Sequence, residues 1–441
     1  MRSPPMLKVN AFQPEHAESL GSTERHLIER RQRLLGPAYQ LFYDNPLHLV
    51  RGAGTWLYDS DGRAYLDLYN NVASVGHSHP RVVEALSRQA AALNTHTRYL
   101  HEGVLDYAEK LLATMPAQLS NVMFTCTGSE ANDLALRIAR DYTGGTGVIV
   151  TRYAYHGMTA AIAELSPSVG DYVPLGRDVR VVDAPLHSPE DPQRTGRVFA
   201  AQVRAALADM QRHGIRPAAL LVDTLFTSDG VFADPAGFLR EAVEAVRAAG
   251  GVFIADEVQP GFGRTGTHMW GFQRHGLVPE LVTMGKPMGN GHPLAGLTVR
   301  PEILERFGRN ASYFNTFGGN PVSAAAGLAV LQVIEEEGLQ NNALRVGALL
   351  KEGLEGVARE HASLGQVRGA GLFIGVDVLD AAGLPDGAAA RRIVNLLRDE
   401  GMLIGVSGAQ NNTLKIRPQL CFSAENVAQF LGALQRVLRL L

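Results

Sequence analysis

Between residues 76 and 310 the chain repeats one pattern, a short apolar run, then a turn, then a stretch of helical periodicity. The apolar runs fall at 122–125, 148–151, 179–182, 219–223, 252–256, 281–284 and 295–299. Helical periods separate many of them, for example at 198–212 and 237–249. Strands that alternate with helices argue for an α/β fold whose doubly wound, largely parallel sheet is covered on both faces.

The flanks read differently. Residues 1–50 are polar and punctuated by proline, with a charged helical candidate at 22–35. Asp61-Gly62 sits between two runs of alternating apolar residues, 54–58 and 64–68, which is a hairpin signal. Beyond Asn320-Pro321 two helices are expected at 322–337 and 342–360, then an α+β segment with strands at 372–376 and 414–417. The expected division is an N-terminal segment 1–75 that joins a smaller domain, a large domain 76–320, and the rest of the smaller α+β domain at 321–441.

A chain of 441 residues can bury a large core, and 46% hydrophobic with 19% charged residues is ordinary globular usage. A formal charge of −3 gives no bulk field for nucleic acid or an anionic membrane. Cys126 and Cys421 cannot form a disulfide framework and suit a reducing, cytoplasmic compartment. The first 25 residues lack the apolar block of a secretory signal, and no run approaches the ~20 residues of a membrane span.

Lysine is scarce, five against thirty-six arginines. Lys8 in the N-terminal tail, Lys110 and Lys351 on polar helix faces, and Lys415 near the end of a strand-like run occupy ordinary lysine positions. Lys286 does not. It follows Leu281-Val282-Thr283-Met284-Gly285 and leads into the loop Pro287-Met288-Gly289-Asn290-Gly291-His292-Pro293. Desolvation at a buried strand end favours the neutral amine, which is a nucleophile. Asp256 closes a second strand thirty residues upstream. An amine for a Schiff base and a buried carboxylate for a pyridinium nitrogen are what pyridoxal phosphate (PLP) asks of a protein.

Other motifs carry less alone. Thr127-Gly128-Ser129-Glu130 opens a helix with apolar positions at Ala131, Leu134, Ala135, Ile138 and Ala139. Thr127 and Glu130 fit a capping box, and the same turn could cup a phosphate at the helix N-terminus. Gly261-Phe262-Gly263-Arg264-Thr265-Gly266 matches a dinucleotide fingerprint only on paper, because Pro260 intervenes and no helix start follows. His77-Ser78-His79-Pro80 reads as turn histidines, with no metal site expected. Tyr155, before His156-Gly157, could present an aromatic face or simply pack at a strand end. Arg417, within Leu414-Lys415-Ile416-Arg417-Pro418, reads equally as a surface or a functional arginine.

Taken with Ile254-Ala255-Asp256-Glu257-Val258-Gln259, Gly285-Lys286 and Thr316-Phe317-Gly318-Gly319-Asn320-Pro321, the 127–130 and 155–157 motifs resemble the class III aminotransferases. These are PLP enzymes of fold type I, aspartate aminotransferase-like, that work as homodimers. The resemblance spans roughly residues 35–440. It implies that Lys286 holds PLP and moves the proton at the substrate carbon, and that Asp256 pairs with the ring nitrogen. Gln259 would bond the phenolate side, Val258 would lie under the ring, and Tyr155 would stack on it. Gly128 and Ser129 would take the phosphate, with Thr316 reaching the phosphate in the neighbouring subunit.

Asn70-Asn71-Val72, Arg98-Tyr99-Leu100-His101, the segment 283–293 and Leu414–Pro418 are similar to the ethanolamine-phosphate and phosphohydroxylysine phospho-lyases of that family. Departures are Asp223-Thr224-Leu225-Phe226 where the eukaryotic lyases have Glu-Ser-Met-Gln, Arg417 where they have lysine, and Gln419 where they have a second proline. Asp223 also stands where aminotransferases place a glutamate that neutralises a mobile arginine. The resemblance implies elimination of phosphate from a small phosphorylated amine, O-phosphoethanolamine giving acetaldehyde, ammonia and phosphate. The alternative is ω-amino-group transfer to a keto acid. Arg417 is the expected anchor for the substrate anion and Arg98 a second candidate.

Overall fold

The computed structural model describes residues 10–13, 17, 20–186 and 191–441. Lys8 and most of the N-terminal segment examined for a signal therefore lie outside the described residues.

The seven apolar runs form one sheet. Its order is Asn121–Thr125, Ala295–Val299, Leu281–Met284, Val252–Asp256, Pro217–Asp223, Gly147–Thr151 and Val179–Val182. Five of these strands are mutually parallel. Ala295–Val299 runs antiparallel to both its neighbours, the one departure from parallel pairing in this sheet. Alternation along each strand sends side chains to two different cores. Val148, Val150, Ala219, Leu221, Val252 and Ile254 pack beneath Leu134 and Ile138 of helix Gly128–Thr143. Ile149, Leu220, Val222, Phe253 and Ala255 face the other way, towards Phe199, Val203 and Val243 of helices Pro192–Arg212 and Arg240–Ala248. Each fully buried aliphatic side chain contributes roughly 1.5–3 kcal/mol, so burial on both faces is what holds the sheet.

Helix starts depart from the expected positions by a few residues. Pro192–Arg212 begins ahead of the apolar periodicity because Asp191 caps it, accepting from the Arg194 amide, and proline fits the first turn. Asn320 does the same for Pro321–Glu336, accepting from Ser323. The hairpin forms as Trp56–Asp59 and Ala64–Asp67. Leu49–Ala53 extends it on one side, and the C-terminal strand Met402–Leu403 joins in parallel on the other.

A third sheet holds Leu364–Ala370, Phe373–Val378, Thr413–Ile416 and Gly405–Ser407, all antiparallel. Its strand Thr413–Ile416 is tied to the hairpin region. The Arg417 amide donates to Leu68 O at 2.8 Å, and Gln419 Nε2 donates to Asp67 Oδ2 at 2.9 Å. Gln419 thus has a structural occupation that proline could not fill.

Candidate active site

Parallel register aligns the ends of three strands, since Asp223 pairs with Asp256 and Asp256 with Thr283. Lys286 therefore emerges two residues past strand Leu281–Met284, beside the carboxylates. The crevice beyond the carboxyl ends of such strands is where ligands bind in open α/β sheets.

Asp256 is 4% exposed and fully engaged by donors. Its Oδ2 lies 2.7 Å from His156 Nδ1 and accepts from Asn132 Nδ2 at 3.0 Å, and its Oδ1 accepts from the Val258 amide at 3.0 Å. A carboxylate can only accept, so Nδ1 carries the imidazole proton and Nε2, buried, is left without a partner. Asn132 is itself fixed by Thr283 Oγ1 at 2.7 Å and by its donation to His156 O at 2.7 Å. Neither His156 nor Asn132 had been singled out for this role. The signal was available only as Asn132 recurring one helical turn after Gly128.

Helix Gly128–Thr143 realises both readings of its first turn. Thr127 Oγ1 accepts from Glu130 N at 3.1 Å, and Glu130 reaches back to the Thr127 amide at 2.9 Å. The turn also stays bare where an anion would approach. A Cβ on Gly128 would fall 3.0 Å from a methyl of Val258, and one on Gly157 (φ +138°) would meet Ser129 Oγ at 2.5 Å. Ser129 Oγ accepts from the Met158 amide at 3.1 Å. Gly128, Ser129, Tyr155, His156, Asp256, Val258, Gln259 and Lys286 line one cavity.

Lys286 has no hydrogen bond or ion pair among the described residues. Burial lowers its proton affinity below that of an ordinary lysine, and the positive charge of Arg417 lowers it further against the pull of Asp256 and Asp223. That is the state a Schiff-base lysine needs. A second cavity adjoins the first through Tyr155, Gln259 and Lys286, and is completed by Phe42, Tyr69, Ser228, Lys415 and Arg417. Burial raises the Tyr155 hydroxyl pKa, with Asp256 adding to it.

Arg417 is not a surface residue. It is 8% exposed, lies over the Tyr69 ring at 4.7 Å, and donates to Gln259 Oε1. Its Nε has no partner, and among the described residues it forms no ion pair. Gln259 donates in turn to Thr227 Oγ1 at 2.5 Å.

Lys415 corrects the sequence reading that gave it an ordinary position. It is 4% exposed and lines the second cavity, so Lys286 is not the lone buried amine. Two other candidates stay apart from both cavities within one chain. Thr316 is exposed, and exposed Arg98 places its guanidinium 3.9 Å from the Phe314 ring centroid.

The glycine-rich stretch 261–266 is a series of turns followed by no α-helix, only the short 3-10 helix Gly271–His275, and its buried Arg264 donates to Leu372 O at 3.2 Å. His77 Nε2 lies 2.7 Å from Asp67 Oδ2, and His79 pairs with Glu337 at 3.1 Å. No helix among the described residues is long and apolar enough to cross a membrane.

The chain is similar to known proteins along most of its length. Residues 40–438 match the family described as aminotransferase class-III. The chain belongs to the class III aminotransferase family. Its fold is therefore fold type I, and its cofactor is PLP. It is 40% identical to a Drosophila melanogaster protein named alanine–glyoxylate aminotransferase 2-like, over 94% of this chain and 87% of that one. It is 37% identical to Caenorhabditis elegans ethanolamine-phosphate phospho-lyase homolog 1, over 95% and 94%. A phospholyase from Arthrobacter, solved in complex with phosphoethanolamine, superposes with a TM-score of 0.91 at 44% identity, covering 94% of this chain and all of that one.

The residues present fit the cofactor. Lys286 offers an unpartnered amine, Asp256 an oriented carboxylate, and the bare first turn of helix Gly128–Thr143 an anion seat with unshared backbone N–H groups.

Proposed function

We propose that this enzyme eliminates phosphate from a small phosphorylated amine, with O-phosphoethanolamine the first candidate. The observation that carries this reading is Arg417, buried in the cavity that Lys286 enters and not neutralised by a carboxylate among the described residues. Asp223, which stands where aminotransferases place a neutralising glutamate, is occupied elsewhere. Its oxygens accept from the Leu225 amide at 2.9 Å, the Thr227 amide at 3.1 Å and the Thr227 hydroxyl. The phosphoethanolamine complex of the Arthrobacter enzyme supports the same substrate class.

PLP supplies an aldehyde that takes the substrate amine and an electron-withdrawing ring. Lys286 would hold it, Asp256 would keep its ring nitrogen protonated, and Gly128 and Ser129 would seat its phosphate. Val258, Tyr155 and Gln259 would frame the ring. Lys286 Nζ would take the proton from the substrate carbon that bears nitrogen. Arg417 holds the substrate phosphate on the neighbouring carbon, whose C–O bond breaks. Hydrolysis of the remaining two-carbon unit gives acetaldehyde and ammonia.

We further assign the enzyme to a cytoplasmic homodimer in which Thr316 reaches the partner's cofactor phosphate. Phe314 and Phe317 of that loop are exposed, as is Tyr99, whose neighbour His96 meets the Phe314 ring, and these apolar side chains support this assembly. Sedimentation of a fully active monomer would refute it. Phosphate release from O-phosphoethanolamine, with and without pyruvate or 2-oxoglutarate, tests the activity. Release that needs no keto acid is the expected result. Consumption of keto acid without phosphate release would make Arg417 the carboxylate anchor of an aminotransferase instead.

A further inference from the structure

Residues 10–12 lie ahead of residue 40, where the family match begins, yet they reach the substrate cavity. Ala11 forms an antiparallel bridge with Phe42. The Phe12 amide donates to Leu41 O at 2.8 Å, and the Tyr43 amide donates to Asn10 O at 2.9 Å. Tyr43 is held in the left-handed region, at φ +70°, which an aromatic residue adopts only where its surroundings over-determine it. Those surroundings include the 10–12 segment and Ile404 O, to which the buried Tyr43 hydroxyl donates at 3.2 Å. The segment thereby fixes the turn that carries Phe42 into the cavity wall.

Asn10 itself is 5% exposed and lines the cavity with Phe42, Tyr69 and Arg417. Its Oδ1 is buried and has no partner among the described residues. A buried carbonyl left unpaired costs its desolvation unless a ligand donates to it. The direction of the amide has a cause. Lys286, Lys415 and Arg417 line the same cavity, and their positive field favours the carbonyl end over the NH2 end.

The position of Asn10 says which part of a ligand must supply the donor. Lys286, Tyr155 and Gln259 line both cavities, whereas Asn10 lines the second and not the cofactor cavity. The reacting amine of a substrate has to reach the cofactor side, away from Asn10. A phosphate dianion offers only acceptors. The donor therefore belongs to a third group on the substrate, branching from the carbon that bears the phosphate.

We infer that Asn10 is a specificity-determining residue whose Oδ1 takes a hydroxyl carried on such a branch, so that the site favours hydroxylated phosphorylated amines over unsubstituted ones. The substrate class rests on the phospho-lyase reading, but the contact itself concerns binding and can fail separately.

The test uses the PLP-loaded enzyme and ligands that cannot release phosphate. 3-Aminopropylphosphonate copies O-phosphoethanolamine with carbon in place of the bridging oxygen. Two derivatives, with an ethyl or a hydroxymethyl branch on the central carbon, are titrated calorimetrically into wild type and Asn10→Leu. The branches have the same shape and differ in one hydroxyl, so any general disturbance of the cavity cancels in the ratio of their Kd values. Wild type should bind the hydroxymethyl ligand about fivefold more tightly, the worth of one net hydrogen bond, and the ratio should fall to within about twofold of unity in Asn10→Leu. A wild-type ratio near unity, or a ratio that survives in Asn10→Leu, would overturn the inference. Should the leucine variant lose its fold, Asn10→Ala removes the same acceptor and gives the same reading.

Phosphate release separates the two claims. A wild type that prefers the hydroxymethyl ligand through Asn10 yet releases no phosphate from any phosphorylated amine refutes the lyase reading and leaves the Asn10 contact standing. A wild type that releases phosphate but shows no preference between the two phosphonates refutes the inference and leaves the lyase reading standing.

Discussion

The cofactor half of the cavity is assembled at aligned strand ends, whereas the substrate half is gathered from Phe42, Tyr69, Ser228, Lys415 and Arg417 across the whole chain. In the first half the groups around Asp256 hold one another. Asp256, His156, Asn132 and Thr283 form one connected set of hydrogen bonds. In the second half two cations stand without carboxylate partners, and Arg417 Nε without any partner, among the described residues. A preformed network suits a group that stays; buried cations without a carboxylate partner suit an anionic ligand that comes and goes. Substitutions in the first half should therefore abolish turnover, and those in the second should mainly shift substrate affinity.

The largest effect belongs to Lys286→Ala, which removes both the tether and the base. Turnover should fall by more than about ten-thousandfold, beyond what loss of general acid–base catalysis alone typically costs. Mass spectrometry after borohydride reduction should find no covalently held cofactor. Near-normal turnover without added amines would break the comparison at its strongest point.

Asp256→Asn comes next. The amide cannot keep a pyridine nitrogen protonated, and its NH2 must face one of the donors that now converge on Asp256, either His156 and Asn132 or the Val258 amide. An unsatisfied buried pair costs about 1–3 kcal/mol beyond the catalytic loss. The rate should fall about a hundredfold or more while PLP remains detectable by absorbance. Unchanged rates would give Asp256 a purely structural role.

The unequal legibility of the two halves has a physical cause. Lys286, Asp256 and the turn at Gly128 each follow a strand of strong apolar character, and strand ends in a parallel sheet converge by construction. Their meeting could be foreseen without coordinates. Tyr69 lies in the bend after the hairpin and meets Phe42 of an isolated bridge ahead of it, and Tyr69 reaches Arg417 only because the Arg417 amide bonds Leu68 O across 349 positions of chain. No local pattern encodes that contact. Lys415 lies between these cases. Its i, i+2 spacing to Arg417 was visible, yet the sheet that buries it includes Leu364–Ala370, whose glycines at 365 and 369 hide its strand character. The expected strand at 414–417 was correct in place, and its burial was missed.

Arg417→Ala probes the second half directly. Loss of a charged hydrogen bond is worth roughly 1.5–3 kcal/mol, so KM for O-phosphoethanolamine should rise by tens-fold. Gln259 loses a donor as well, but it keeps Thr227. The fall in kcat should be smaller than the rise in KM. An effect confined to kcat would move Arg417 into the catalytic half and dissolve the distinction.

The smallest effect is expected at Gly405, and it sharpens the boundary. Gly405 lines the substrate cavity beside Lys415, and a Cβ there would fall 2.9 Å and 3.0 Å from two carbons of the Tyr69 ring. One partner must give way. Gly405 lies in a strand with no positive φ, so alanine strains no backbone. The Tyr69 ring is only partly buried and meets Phe42 edge-on at 5.4 Å, which leaves it room to tilt. Tilting disturbs the surface on which Arg417 rests, at 4.7 Å, without touching any group in the cofactor half. Gly405→Ala should therefore raise KM for O-phosphoethanolamine about three- to tenfold, which corresponds to roughly 0.7–1.4 kcal/mol. Bound PLP, measured by absorbance after gel filtration, should stay at the wild-type level. Loss of cofactor would mean that strain at Tyr69 passes through Gln259 into the first half, and the two regions would then have to be treated as one mechanical unit.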